Sequence, residues 1–169
     1  MKRILFLMAS LFIAVVSFSQ KSMSDTVSAY IRSGLIPSFT TYKAPDSTAF
    51  TKQDVRKGKP VLLMIFSPDC SHCQNVTKEI IKNIEHFKKA QIIMITWLPY
   101  SDMTAFYKDY KIANYPEITM AWDSKYFFLP YYNVRNYPKL IVYDKKGKYV
   151  KEFHGDVNIE DVWQTANKK

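Results

Sequence analysis

Cysteine is scarce: the 169 residues contain two. That number excludes a multi-disulfide scaffold and a zinc site built from four cysteines. Glycine is nearly as sparse, at four residues beside eight prolines. With 47% hydrophobic and 23% charged residues, this composition excludes a collagen-like or disordered chain. Internal repeats and low-complexity stretches are absent. Apolar runs are short too. The longest, Ile4 to Val16, is broken only by Ser10 and falls short of the ~20 residues that span a bilayer. What is present is a packed core, with 12 Tyr and 11 Phe in a length that suits one domain.

Lys2 and Arg3, the apolar run, and Ser17-Phe18-Ser19 have the layout of a secretory signal peptide. Residues 1–19 are expected to be removed between Ser19 and Gln20, with an uncleaved anchor as the alternative. No Cys stands at the cut, so no lipid attachment site is expected there. The leader carries two basic residues and no acid, so its loss lowers the net charge from +9 to +7. The remaining lysines are scattered, apart from Lys145-Lys146-Lys148 and Lys168-Lys169. That is the pattern of a solvated surface, and no nucleic-acid partner is expected. Membrane contact is expected only transiently, through the leader.

Residues 20–37 read as a helical extension and 38–169 as the main domain. Ser24 or Asp25 can cap a short helix to about Arg32, stopped by Gly34. Residues 38–59 read as a strand or hairpin with loops. Val61 to Phe66 is a continuous apolar run of six, the signature of a strand buried on both faces. Residues 71–89 carry a helical pattern, with Val76, Ile80, Ile84 and Phe87 on one face. Gln91 to Leu98 is a second buried strand, which completes a βαβ unit. A helix from Ser101 to about Tyr110 follows. Then come a short strand near Ile118–Trp122 and a short helix near Phe127–Tyr132. Lys139–Tyr143 and Lys148–Phe153 form an antiparallel pair around the turn at Gly147. Asn158 caps a last helix containing Val162 and Trp163. The fold class is α/β, a mixed β-sheet with helices on both faces.

Both cysteines fall in Cys70-Ser71-His72-Cys73, between a buried strand and a helix start. The first helical turn has unpaired N–H groups and a partial positive charge. A thiolate at Cys70 is stabilised there. Cys73 is in phase with Val76 and Ile80, so its sulfur is expected to point inward. One exposed thiolate and one shielded thiol suit a two-step exchange: Cys70 attacks a disulfide and Cys73 resolves the mixed disulfide. A static disulfide is the competing reading. Closing so short a loop removes little chain entropy, which argues against it.

The chain resembles the thioredoxin superfamily over about residues 38–166, and most of all the extracytoplasmic TlpA/ResA-like thiol–disulfide oxidoreductases. The matching residues are Ala44-Pro45-Asp46, Gly58-Lys59-Pro60-Val61-Leu62-Leu63, and Phe66-Ser67-Pro68-Asp69 ahead of the CxxC. Toward the C-terminus they are Tyr132 to Pro138, Leu140 to Asp144, Gly147 and Gly155. The resemblance implies a thioredoxin-like fold, a cis proline at Pro138 facing the CxxC, and a backbone at Tyr137 that pairs with the substrate chain. It also implies protein thiols and disulfides as substrates, an envelope redox partner, a periplasmic or otherwise secreted location, and no cofactor.

This chain departs from the family at three places. Asp69 replaces the frequent Trp, and its negative charge opposes the helix dipole. Met64 occupies the place of a buried Asp, so the usual proton acceptor for Cys73 is missing. Ser71-His72 replaces Pro-Pro or Gly-Pro, with His72 placed as in the disulfide oxidase DsbA. Protonated, it favours the Cys70 thiolate. His72 and Asp69 are therefore the expected modulators. His86 is expected at the surface, His154 in a packing role, and Trp97, Trp122 and Trp163 in the core or at its rim. Three further functions compete: a copper or zinc metallochaperone using the two cysteines and a histidine, a peroxidase suggested by Ser67-x-x-Cys70, and a binding module without turnover. The direction of electron flow is open at this point.

Overall fold

The computed structural model describes residues 28–167. The signal-peptide reading and the Ser24 or Asp25 cap lie outside that range. Seven strands form one sheet: β1 Thr40–Lys43, β2 Ala49–Thr51, β3 Val61–Ile65, β4 Gln91–Thr96, β5 Ile118–Trp122, β6 Lys139–Tyr143 and β7 Tyr149–His154. Among the described residues five α-helices accompany them: α1 Ala29–Ser33, α2 Ser71–Lys82, α3 Tyr100–Asp109, α4 Phe128–Tyr131 and α5 Ile159–Asn167. The strand order is β2-β1-β5-β4-β3-β6-β7. Strands β3, β4 and β5 run parallel, and the other pairs are antiparallel.

Period-two alternation in the central strands builds two cores. Leu62 and Met64 face one side with Cys73, Val76 and Ile80 of α2, Met103 and Phe106 of α3, and Val162 of α5. Val61, Leu63 and Ile65 face the other side with Tyr30 of α1 and Phe128 of α4. All five residues of β3 are buried, as are all six of β4, because helices cover both faces. Each such aliphatic side chain contributes about 1.5–3 kcal/mol on burial.

The helical pattern over 71–89 breaks at Asn83. There α2 ends, and a 3₁₀ turn, Ile84–Phe87, takes over. The Asn83 side-chain amide donates to the Glu79 carbonyl at 2.8 Å, occupying an acceptor of the last turn. Phe87 still reaches the core, fully buried. Gly34 ends α1 at φ 60°, a left-handed cap that glycine adopts without a Cβ penalty.

The pairings Ile65–Ile95, Ile95–Ala121 and Ile65–Lys139 set the carboxyl ends of β3, β4 and β5 beside the start of β6. In open α/β sheets, ligands bind in the crevice outside the carboxyl ends of the strands. Cys70 follows β3 at that edge.

Candidate active site

Cys70 is the N-cap of α2, with extended backbone at φ −83° and ψ 119°. Its sulfur accepts the Cys73 N–H at 3.4 Å. A capping position normally held by Ser or Asp is thus held by sulfur. Cys70 is half-buried; Cys73 is fully buried. Both are free thiols. Burial pushes the Cys73 thiol up strongly, and its contact with Cys70 adds to that. Met64, Met94 and Met120 lie side by side across the sheet in the same core layer, each 0–1% exposed. The layer under Cys73 is therefore thioether and hydrocarbon where the family resemblance implies a carboxyl.

The loop before the helix is tied at several points. The Cys70 N–H donates to the Ser67 carbonyl at 3.2 Å, and the Gln74 amide donates to the Pro68 carbonyl at 2.9 Å. The Ser67 hydroxyl donates to the Asp69 carboxylate. A groove of about 860 Å³ opens beside this loop between α2 and α3, bordered by Asp69, Lys78, Leu98 and Phe106.

Tyr137 and Pro138 come to the same place from the other side of the sheet edge. The peptide between them is cis. The Cys70 thiol donates to the Tyr137 carbonyl at 3.9 Å. Pro138 is buried, and its carbonyl accepts the Gly155 N–H at 3.2 Å. Burial raises the Tyr137 phenol, with Cys73 adding to the shift.

His72 pairs with Asp156, Nδ1 to Oδ1 at 2.8 Å, across the mouth of a hollow of about 290 Å³. Both side chains are exposed. Asp156 was not singled out in the sequence; its position directly after the family-matched Gly155 was the available signal. Trp97 was assigned only to core or rim. Its ring stacks on Tyr137 with centroids 4.8 Å apart, so it backs the segment that faces Cys70. His86 is exposed, as expected, and stacks on Trp163 at 4.8 Å. His154 corrects the packing expectation: it is exposed at the end of β7 and borders a surface hollow. At the terminus of an edge strand, nothing lies over it to bury it.

Residues 51–169 match the model of the thioredoxin-like domain. The chain belongs to the thioredoxin-like family. Solved structures agree on the fold. One is the exposed lipoprotein thioredoxin of Streptococcus pneumoniae, 25% identical, covering 77% of this chain and 98% of that one, with a TM-score of 0.59. Another is the thioredoxin domain of a thiol–disulfide oxidoreductase from Bacteroides vulgatus, 22% identical over 79% and 96%, with a TM-score of 0.64. A third is a secreted disulfide oxidoreductase of Mycobacterium tuberculosis homologous to DsbE, 17% identical over 76% and 93%, with a TM-score of 0.64. Nothing matches among the curated proteins. The α/β fold class is thus that of a thioredoxin-like protein, and solved structures sharing the fold include proteins described as thiol–disulfide oxidoreductases.

Proposed function

We propose that this thioredoxin-like protein is an extracytoplasmic thiol–disulfide oxidoreductase that acts on protein substrates through Cys70 and Cys73. The observation that carries the reading is the contrast between the two sulfurs. Cys70 is partly open, accepts a helix N–H, and lies against the Tyr137 carbonyl. Cys73 is fully buried, and its thiol is held in the neutral form.

The steps balance as thiol–disulfide exchange. The Cys70 thiolate attacks one sulfur of a substrate disulfide. A Cys70–substrate bond forms, and the other substrate sulfur leaves as a thiolate and takes a proton. Cys73 then loses its proton and attacks Cys70. The Cys70–Cys73 disulfide forms, and the second substrate thiol departs. The substrate gains two electrons and the protein loses two. The reverse sequence oxidises a dithiol. The Tyr137 backbone and Pro138 serve as the platform for the substrate chain. His72 and Asp69 are the proposed modulators of Cys70, and Asp156 pairs with His72.

The extracytoplasmic location is supported by the leader-like start of the sequence and by neighbours described as secreted or as an exposed lipoprotein. Among the described residues, no helix is long and apolar enough to cross a membrane.

The test is capture. Cys73→Ser removes the resolving thiol, so the first mixed disulfide should persist. After incubation with insulin, non-reducing electrophoresis and peptide mass spectrometry should show insulin linked to Cys70. A Cys73→Ser protein that stays free of insulin would reject the proposed function.

A further inference from the structure

Lys139 opens β6 directly after Pro138, and it is a buried lysine in a strand that is otherwise entirely apolar or aromatic. Its side chain is 7% exposed. An ammonium has three N–H donors. Here two of them are donated, to the Tyr132 carbonyl at 2.9 Å and the Tyr30 hydroxyl at 3.1 Å, and the ammonium pairs with Glu152 Oε2 at 3.2 Å. The Tyr30 hydroxyl donates in turn to the same Glu152 oxygen. The Lys139 ammonium also lies 4.9 Å from the centre of the Tyr30 ring. The result is a closed triangle of Lys139, Glu152 and Tyr30, drawn from β6, β7 and α1.

The Tyr132 bond gives this triangle a target. It joins the end of α4 to the first residue of β6 and so closes the loop between them. That loop carries Tyr137, whose carbonyl faces Cys70 and whose ring stacks on Trp97. Tyr30 lies outside the 51–169 stretch that matches the family model. The helix ahead of the matched domain therefore supplies one corner of the support.

We propose that Lys139, Glu152 and Tyr30 are positioning residues that hold the loop of residues 133–138 against the redox centre, which makes α1 a working part of the substrate platform. This rests on the reading of Tyr137 as the strand-like edge that a protein substrate pairs with. The triad touches no reacting atom and acts only through the loop. A substrate too small to use that edge should not sense it.

Tyr30→Phe tests this in the full chain. It removes the hydroxyl and keeps the ring, which packs on Tyr132 and Tyr149 at centroid distances of 5.1 and 5.9 Å. Amide exchange by mass spectrometry in residues 133–137 should accelerate about tenfold, while α2 and β4 keep their protection. KM for insulin disulfides should rise about five- to tenfold with kcat unchanged within about twofold. The rate with Ellman's reagent, a small disulfide, should stay within about twofold. Lys139→Met should do the same more strongly, and Lys139→Arg, which keeps charge and donors, should restore the insulin KM at least in part. A purely structural triad would lower the melting temperature and leave the insulin KM and the loop exchange of the folded variants unchanged, and that result overturns the proposal. If the unaltered protein itself fails to reduce insulin, the enzymatic reading falls. The exchange arm then decides the clamp: faster loop exchange upholds it and unchanged exchange removes it.

Discussion

Cys70→Ser is expected to lose insulin-disulfide reduction by at least ~10³-fold, equivalent to about 4 kcal/mol of barrier. The reason is chemical. Exchange needs an ionised sulfur nucleophile, and a serine hydroxyl in its place is neither ionised near neutral pH nor able to form a disulfide. The fold should survive. A hydroxyl at the N-cap accepts the Cys73 N–H at least as well as sulfur does. The melting temperature of Cys70→Ser is thus expected to match or exceed that of the unaltered reduced protein. Residual turnover within tenfold of the unaltered rate would mean that Cys70 is not the attacking thiol. Unfolding by circular dichroism and turnover by the turbidity of precipitating insulin B chain separate the two effects.

Met64→Asp is the second large effect, and it acts on stability. Met64 is 0% exposed, between Leu140 on β6 and Met94 on β4 in the pairing register. An aspartate there loses the burial of a long apolar side chain, about 2–3 kcal/mol. It also buries a carboxyl in a layer of thioether and hydrocarbon, which raises its pKa above the unfolded value. The two costs together are about 4–6 kcal/mol at pH 7. The pH dependence identifies the second one. A carboxyl with a raised folded-state pKa is protonated in the folded protein and ionised in the unfolded chain. The unfolded state then binds fewer protons, and stability falls as pH rises from ~4 toward the folded value. The deficit relative to the unaltered protein should therefore shrink as pH is lowered from 7 to 5. Urea titrations at the two pH values measure it. A pH-independent deficit would show that the introduced carboxyl reaches solvent and that the layer under Cys73 is wetter than the structure has it.

Much of this architecture was legible in local patterns. The apolar run from Val61 named β3 because five consecutive buried residues need cover on both faces. The phase of Cys73 with Val76 and Ile80 foretold its burial, since helical periodicity reports on one element alone. The candidate pair was readable for the same reason: two cysteines three apart at a strand-to-helix junction need no distant information. Asn83 was missed because a continuous apolar phase masks a side chain that competes for a backbone carbonyl. The pairing of His72 with Asp156 spans 84 residues and that of Lys139 with Tyr30 spans 109, and neither leaves a periodic trace. Lys139 did carry a hint: a lysine opening a strand that is otherwise apolar or aromatic must either reach solvent or find partners, and here it found three.

The division of labour between the two sulfurs is the central claim, and limiting alkylation tests it most directly. The reduced protein is treated at neutral pH with less than one equivalent of iodoacetamide, quenched, digested and read by mass spectrometry. Thiolates alkylate and buried neutral thiols do not. The account predicts label on Cys70 with Cys73 unmodified, and Cys73 becoming reactive only when the protein is unfolded in denaturant. Equal labelling of the two, or label on Cys73 ahead of Cys70 in the folded protein, would contradict it.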